Sequence, residues 1–165
     1  MFSFSKIFKN SKFKNIFAPI SGNLINIEKI PDEAFSQKML GNGIGIIPES
    51  NLVASPVDGV IVNITGTLHA FGIRTEDNID VLVHIGIDTV KLKSQGFKCF
   101  VKKNQKIKTG EIIAEVDLNI LRENKFEICS PVIITNMDKI KNLKININIG
   151  KVEVGKSIIM SYETL

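Results

Sequence analysis

The stretch VASPVDGVIVNI, Val53 to Ile64, joins a proline turn to a glycine and then to an alternating apolar run that ends in Asn-Ile. The same order occurs earlier in FAPISGNLINI, from Phe17 to Ile27, and a weaker echo, CSPVIITNM, begins at Cys129. Proline lacks a backbone donor and glycine bends the chain without steric cost, so each copy reads as a turn feeding a strand, with Pro19, Pro56 and Pro131 at the strand entries. Through the rest of the chain, glycines at 41, 43, 45, 66, 72, 96, 110, 150 and 155 punctuate short alternating runs. Related hairpins repeated along one chain predict an all-β protein: an antiparallel sandwich or barrel-like single domain with a few short helical turns. Those turns are expected in PDEAFSQ, residues 31–37, around Phe35, and in NMDKIKNL, residues 136–143.

With 165 residues the chain is long enough to bury a core of its own. Its 44% hydrophobic and 23% charged content is that of a globular protein, and no apolar run approaches the roughly 20 residues that span a bilayer. The opening MFSFSKIFKNSKFKN lacks the continuous apolar segment of a secretory signal, which makes the cytoplasm the expected compartment. Cys99 and Cys129 have neither disulfide-framework nor metal-ligand spacing and read as packed free thiols.

The positive charge is concentrated at one end. Lys6, Lys9, Lys12 and Lys14 precede the first acid, Glu28; without them, 17 basic residues face 17 acidic ones. A formally neutral body argues against a nucleic-acid-binding domain. Residues 1–16 are read as a basic tail, amphipathic or disordered, with Phe4, Ile7 and Phe8 on one helical face, suited to weak contact with an anionic membrane. The single domain is then expected over 17–165.

The candidate chemistry lies in VLVHIGIDTVKL, Val81 to Leu92. Strand parity puts Val81, Val83, Ile85 and Ile87 on a core face and Leu82, His84 and Gly86 on the other, with Gly86 leaving space beside the imidazole. The only other histidine, His69 in TLHAF, precedes His84 by 15 residues with the polar loop GIRTEDN between. That is hairpin spacing, so the two imidazoles are expected to meet. Histidine there is a nucleophile, a general acid or base, or a metal ligand.

HAFGI, VLVHIGIDTVKL, the preceding PVDGVI, the later TNMD and VEVG at 152–155 together resemble the stand-alone glucose-type enzyme IIA family of the bacterial phosphoenolpyruvate-dependent sugar phosphotransferase system, over nearly the whole chain. The resemblance implies a phosphohistidine relay that needs no cofactor. His84 would take a phosphoryl group on Nε2 from the phosphocarrier HPr and pass it to the IIB domain of a glucose-type permease. His69 would stabilise the phosphoryl group, Thr67 would fix the His69 ring, and the Gly86 carbonyl would orient His84. Asp32 and Asp88 would pair with an arginine of HPr, and Phe35, Ile44, Leu82 and Ile85 are candidates for an apolar docking patch, with core packing the competing reading for Ile85. His69 and His84 could share an interface zinc with a partner, and regulated targets such as glycerol kinase or adenylate cyclase are further partners the resemblance implies. The chain departs from the family at Thr65, Leu82 and Ile85, where relatives carry aromatics, and at Glu33 and Ala34, where aliphatics are usual.

Two other classes compete. His84-Ile-Gly-Ile-Asp88 is an HxxxD spacing, and with His69 it would supply the three ligands of a catalytic zinc peptidase, although no histidine then remains as a base. The strand and glycine pattern also resembles lipoyl or biotinyl carrier domains, which need a modifiable hairpin-tip lysine, typically flanked by methionine; neither Met39 nor Met137 offers that setting.

Overall fold

The computed structural model describes residues 12–165, so the membrane-contact expectation for Phe4, Ile7 and Phe8 lies outside the described residues. The described residues form fourteen strands: β1 Lys14–Phe17, β2 Gly22–Asn26, β3 Asn42–Pro48, β4 Leu52–Ala54, β5 Gly59–Ile64, β6 Ala70–Arg74, β7 Asp80–His84, β8 Phe97–Cys99, β9 Lys106–Ile107, β10 Ile112–Val116, β11 Ser130–Ile134, β12 Ile140–Ile145, β13 Lys151–Val152 and β14 Ile158–Thr164. Two short helices, α1 Glu33–Ser36 and α2 Leu118–Glu123, interrupt them.

An eight-stranded sheet runs in the order β13-β2-β3-β11-β7-β6-β5-β9 and is flanked by two three-stranded sheets, β1-β14-β12 and β4-β10-β8. Every pairing is antiparallel. The expected all-β antiparallel architecture is the observed one. The two similar segments lie against each other through reciprocal main-chain bonds: the Phe17 N–H donates to the Pro56 carbonyl at 2.9 Å and the Ala54 N–H to the Pro19 carbonyl at 2.8 Å. From that crossing, each copy sends its alternating run into the large sheet, as β2 and β5. The sheet ends on the two-residue strands β13 and β9, which limits the exposed edge open to pairing with another chain.

One core cluster gathers the inward residues of the sheets, including Ile16, Ile20, Phe71, Val81, Val83, Ile85 and Tyr162. A second, smaller cluster contains Ile27, Ile30, Phe35, Ile87, Cys129 and Ile133, with Leu82 packed on it. Ile87 thus departs from its expected place on the main core face. The chain leaves β7 at His84 and turns at Gly86, which has φ +70°, and the turn ends the period-two alternation before it reaches Ile87.

Three further sequence expectations change. Lys14–Phe17 pairs with β14 and its Ile16 is fully buried, so residues 14–16 belong to the folded body and not to the tail. NMDKIKNL forms only a 3-10 turn at Met137–Lys139, and from Ile140 it extends into β12, where pairing with β14 outweighs the local helical spacing. Helix α2 has no counterpart among the expected turns; Asp117 caps it by accepting from the Asn119 and Ile120 N–H groups. No helix among the described residues is long and apolar enough to cross a membrane.

Candidate functional site: two imidazoles at one end of a hairpin

Strands β6 and β7 form the hairpin anticipated from the spacing of the histidines. Ala70 stands opposite His84 in the ladder, and the Ile85 N–H donates to the His69 carbonyl at 2.8 Å. The two rings consequently meet edge to face, with centroids 4.8 Å apart and planes inclined by 77°. His69 is buried and His84 half-buried.

Each ring is held through its Nδ1 atom, but by opposite chemistry. The Nδ1 of His84 lies 2.8 Å from the Gly86 carbonyl oxygen. A carbonyl only accepts, so Nδ1 of His84 carries the proton and, in the neutral ring, Nε2 keeps its lone pair. The Nδ1 of His69 meets hydroxyls instead: Thr67 Oγ1 at 2.6 Å and Thr65 Oγ1 at 3.3 Å. Thr65 was recognised in the sequence only as a departure from the family's aromatics, and its contact with His69 appears when the turn between β5 and β6 closes.

Burial depresses the pKa of both rings. His69 falls from 6.5 to about 4, first because it is desolvated and then because His84 is beside it. Burial also holds His84 below the ordinary imidazole value, while the Gly86 carbonyl and the carboxylates of Asp32 and Asp88 pull it partly back. At neutral pH both imidazoles are therefore uncharged, which leaves His84 nucleophilic.

Gly86 does not leave a gap beside the ring, as strand parity suggested. A Cβ there would lie 2.6 Å from Thr89 Cγ2 and 3.0 Å from the Glu127 carbonyl oxygen, and the backbone is in the left-handed region. Glycine is required because the turn is crowded and its φ is positive, and that turn aims the carbonyl at His84. Two buried hydroxyls fix it. Ser130 accepts the Gly86 N–H at 3.1 Å and donates to the Ile128 carbonyl, and Thr89 donates to the Ile85 carbonyl at 2.6 Å. Sequence reasoning missed both residues; the only local signal was a threonine directly after Asp88.

The two acids sit on separate elements. Asp32 caps α1, accepting the Ala34 N–H at 2.9 Å, and α1 carries Phe35, whose ring lies edge-on to His84 at 5.2 Å. Asp88 is exposed and left-handed, φ +59°, and its side chain makes no capping bond to the turn that follows it. Both are close enough to act on His84, and Asp32 combines the cap role with that electrostatic one.

The apolar patch differs from expectation. Ile44 is fully buried in the main core, its β3 backbone paired to Val132 on β11, so it offers no docking surface. Phe35 is 4% exposed and serves as a floor beneath His84. Leu82 is half-buried, and Ile85 is fully buried in the core. The exposed apolar side chains along this part of the chain are Met39, Leu40 and Val90, which follow α1 and Asp88. They stand on irregular segments, where periodicity gives no signal.

No group of three or more His, Cys, Asp or Glu side chains among the described residues could hold a metal, so the three-ligand peptidase site of His69, His84 and Asp88 does not assemble. Two imidazoles fall short of the three protein ligands of a catalytic zinc.

Comparison with known proteins agrees with the geometry. Residues 14–140 match the model of the family described as phosphoenolpyruvate-dependent sugar phosphotransferase system, EIIA 1. A glucose-specific EIIA component of Buchnera aphidicola from Acyrthosiphon pisum is 46% identical over 159 residues, covering 96% of this chain and 98% of its own. That of Haemophilus influenzae is 38% identical, covering 96% of each. A glucoside-specific EIICBA component of Staphylococcus carnosus is 40% identical over 145 residues, 88% of this chain and 21% of the longer protein. The solved structure of the glucose permease IIA from Mycoplasma capricolum superposes with a TM-score of 0.81 at 34% identity, covering 97% of this chain and 99% of that one. The paired imidazoles, the strand order and these matches give one conclusion: this chain belongs to the EIIA 1 family of the phosphoenolpyruvate-dependent sugar phosphotransferase system.

Proposed function

We propose that this protein is a cytoplasmic phosphoryl relay of the glucose type, in which His84 receives a phosphoryl group from phospho-HPr and delivers it to the IIB domain of a glucose-type permease. The observation that carries this reading is the opposite use of Nδ1 in the two rings: a carbonyl on His84 and hydroxyls on His69. It leaves a bare Nε2 on one ring and permits an N–H donor on the other. In transfer, the P–N bond to the HPr histidine breaks as a P–N bond to Nε2 of His84 forms, and the proton stays on Nδ1 of His84, donated to the Gly86 carbonyl. The neutral Nε2–H of His69 then donates to a phosphoryl oxygen and supports the charge that develops when the group leaves for IIB.

Asp32 and Asp88 give the rim a negative field suited to a cationic partner, and the exposed Met39, Leu40 and Val90, which follow α1 and Asp88 in the chain, would supply apolar surface to seal the transfer from water. The fused EIICBA relative joins a matching EIIA region to its permease components, which supports IIB as the recipient. Zinc would bind His69 and His84 only with a further ligand from a partner. The basic tail, through Phe4, Ile7, Phe8 and its lysines, would add a weak, reversible hold on anionic lipid, and vesicle co-sedimentation unchanged by deleting residues 1–11 would count against it.

Incubation with phosphoenolpyruvate, enzyme I and HPr should add one acid-labile phosphoryl group, seen by intact mass. His84→Ala should abolish it, and normal phosphorylation of that variant would overturn the assignment. His69→Gln should accept the group and fail to donate it. A lipoyl or biotinyl adduct in the intact mass would favour the carrier-domain class instead.

A further inference from the structure

Thr65 and Thr67 both approach Nδ1 of His69, but their hydroxyls are not equivalent. Thr67 Oγ1, 2.6 Å away, has no other partner among the described residues, so it could donate to a bare Nδ1 or accept from a protonated one. Thr67 alone therefore leaves the tautomer open. Thr65 Oγ1 accepts the N–H groups of His69 and Ala70, each at 3.1 Å. Both its lone pairs are used. All it retains is its own proton, for which Nδ1 at 3.3 Å and the Ala70 carbonyl at 3.4 Å are the acceptors in reach. A proton on Nδ1 would face an oxygen that cannot accept it.

We propose that Thr65 is a second positioning residue, acting with Thr67 to keep Nδ1 of His69 unprotonated so that the ring's single proton stays on Nε2, on the far side from both threonines. The same hydroxyl ties down the main chain on which the ring is mounted. Thr65 N–H donates to the Ala70 carbonyl, Leu68 N–H donates to the Thr65 carbonyl, and Leu68 is left-handed at φ +62°. One side chain thus fixes both the turn and the tautomer. The consequence for transfer rests on the relay reading. An Nε2–H supports a phosphoryl oxygen, whereas a lone pair at that position repels it. Loss of Thr65 therefore falls on the step in which the phosphoryl group leaves His84.

The test uses the full-length chain labelled with 15N and long-range proton–nitrogen spectra of the imidazoles at pH 7.5. His69 should show an unprotonated Nδ1 and a protonated Nε2. In Thr65→Val the two nitrogen shifts should move together as the tautomers mix, and Thr65→Ser should restore them. Charged through phosphoenolpyruvate, enzyme I and HPr, Thr65→Val should accept phosphoryl at the wild-type rate but discharge to IIB about tenfold more slowly, with Thr65→Ser within about twofold of wild type. A protonated Nδ1 in the wild-type chain would overturn the proposal, and this measurement decides the matter even if Thr65→Val fails to fold. A shifted tautomer with unchanged discharge would overturn the role in donation. If the wild-type chain took no phosphoryl group, the relay reading would fail while the tautomer assignment stood on its own spectrum.

Discussion

At the scale of the residue, His69 couples the site to stability. Its pKa falls from 6.5 to about 4, so between those pH values an unfolded chain takes up a proton that the folded chain refuses. Stability is therefore fully present above pH 6.5 and declines as pH falls towards 4, by about 3 kcal/mol from this group, with His84 adding in the same direction. His69→Gln should flatten that part of the curve, measured as urea midpoints across the acid range. Gly86 is the other sensitive position. Gly86→Ala would force a side chain into a left-handed turn against Thr89, costing roughly 1–3 kcal/mol. It should also slow phosphorylation of His84 by misdirecting the carbonyl, which single-turnover transfer from HPr would reveal.

At the scale of the element, the β6–β7 hairpin has a chemical end and an anchored end. The chemical end carries Ala70 opposite His84. At the other, Arg74 makes a two-pronged bond to Asp80, and Asp77 receives Thr75 Oγ1 at 2.5 Å, Tyr162 Oη at 3.1 Å and Lys14 Nζ at 3.0 Å. Burial alone would raise the Asp77 pKa, but the bonds from Thr75, Lys14 and Tyr162 outweigh it and the net shift is downward. These contacts clamp the loop to β1 and β14. Asp77→Ala leaves the buried Tyr162 hydroxyl without its acceptor and should cost about 1–3 kcal/mol in thermal or chemical denaturation. Phosphorylation at 25 °C should stay near wild type, because the lost contacts lie at the opposite end of the hairpin.

At the scale of the whole molecule, the domain begins earlier than charge and composition indicate. Ile16, on the first strand and paired with Met160 on the last, is fully buried, so deleting residues 1–16 should lower the melting temperature by the equivalent of about 3 kcal/mol or more. Deleting residues 1–11 should leave it unchanged. Differential scanning calorimetry of the two truncations separates a removable tail from a structural strand. The basic run of Lys6, Lys9, Lys12 and Lys14 hid this boundary, because Lys14 belongs by charge to the tail and by ladder position to the sheet.

The antiparallel β-architecture and the meeting of the two histidines were legible in the order of residues along the chain. Alternation, punctuating glycines and hairpin spacing are local properties that survive in the folded chain. The same order marked Thr67, Gly86, Asp32 and Asp88 as candidates, through the family resemblance. Folding in three dimensions is what crowds Gly86, makes Ile44 core, and brings Ser130 and Thr89 to hold the turn. It alone brought a second threonine to His69. Each of these depends on which chain packs against which: Ser130 lies 44 residues from Gly86, and no periodicity within one strand encodes what its neighbour supplies.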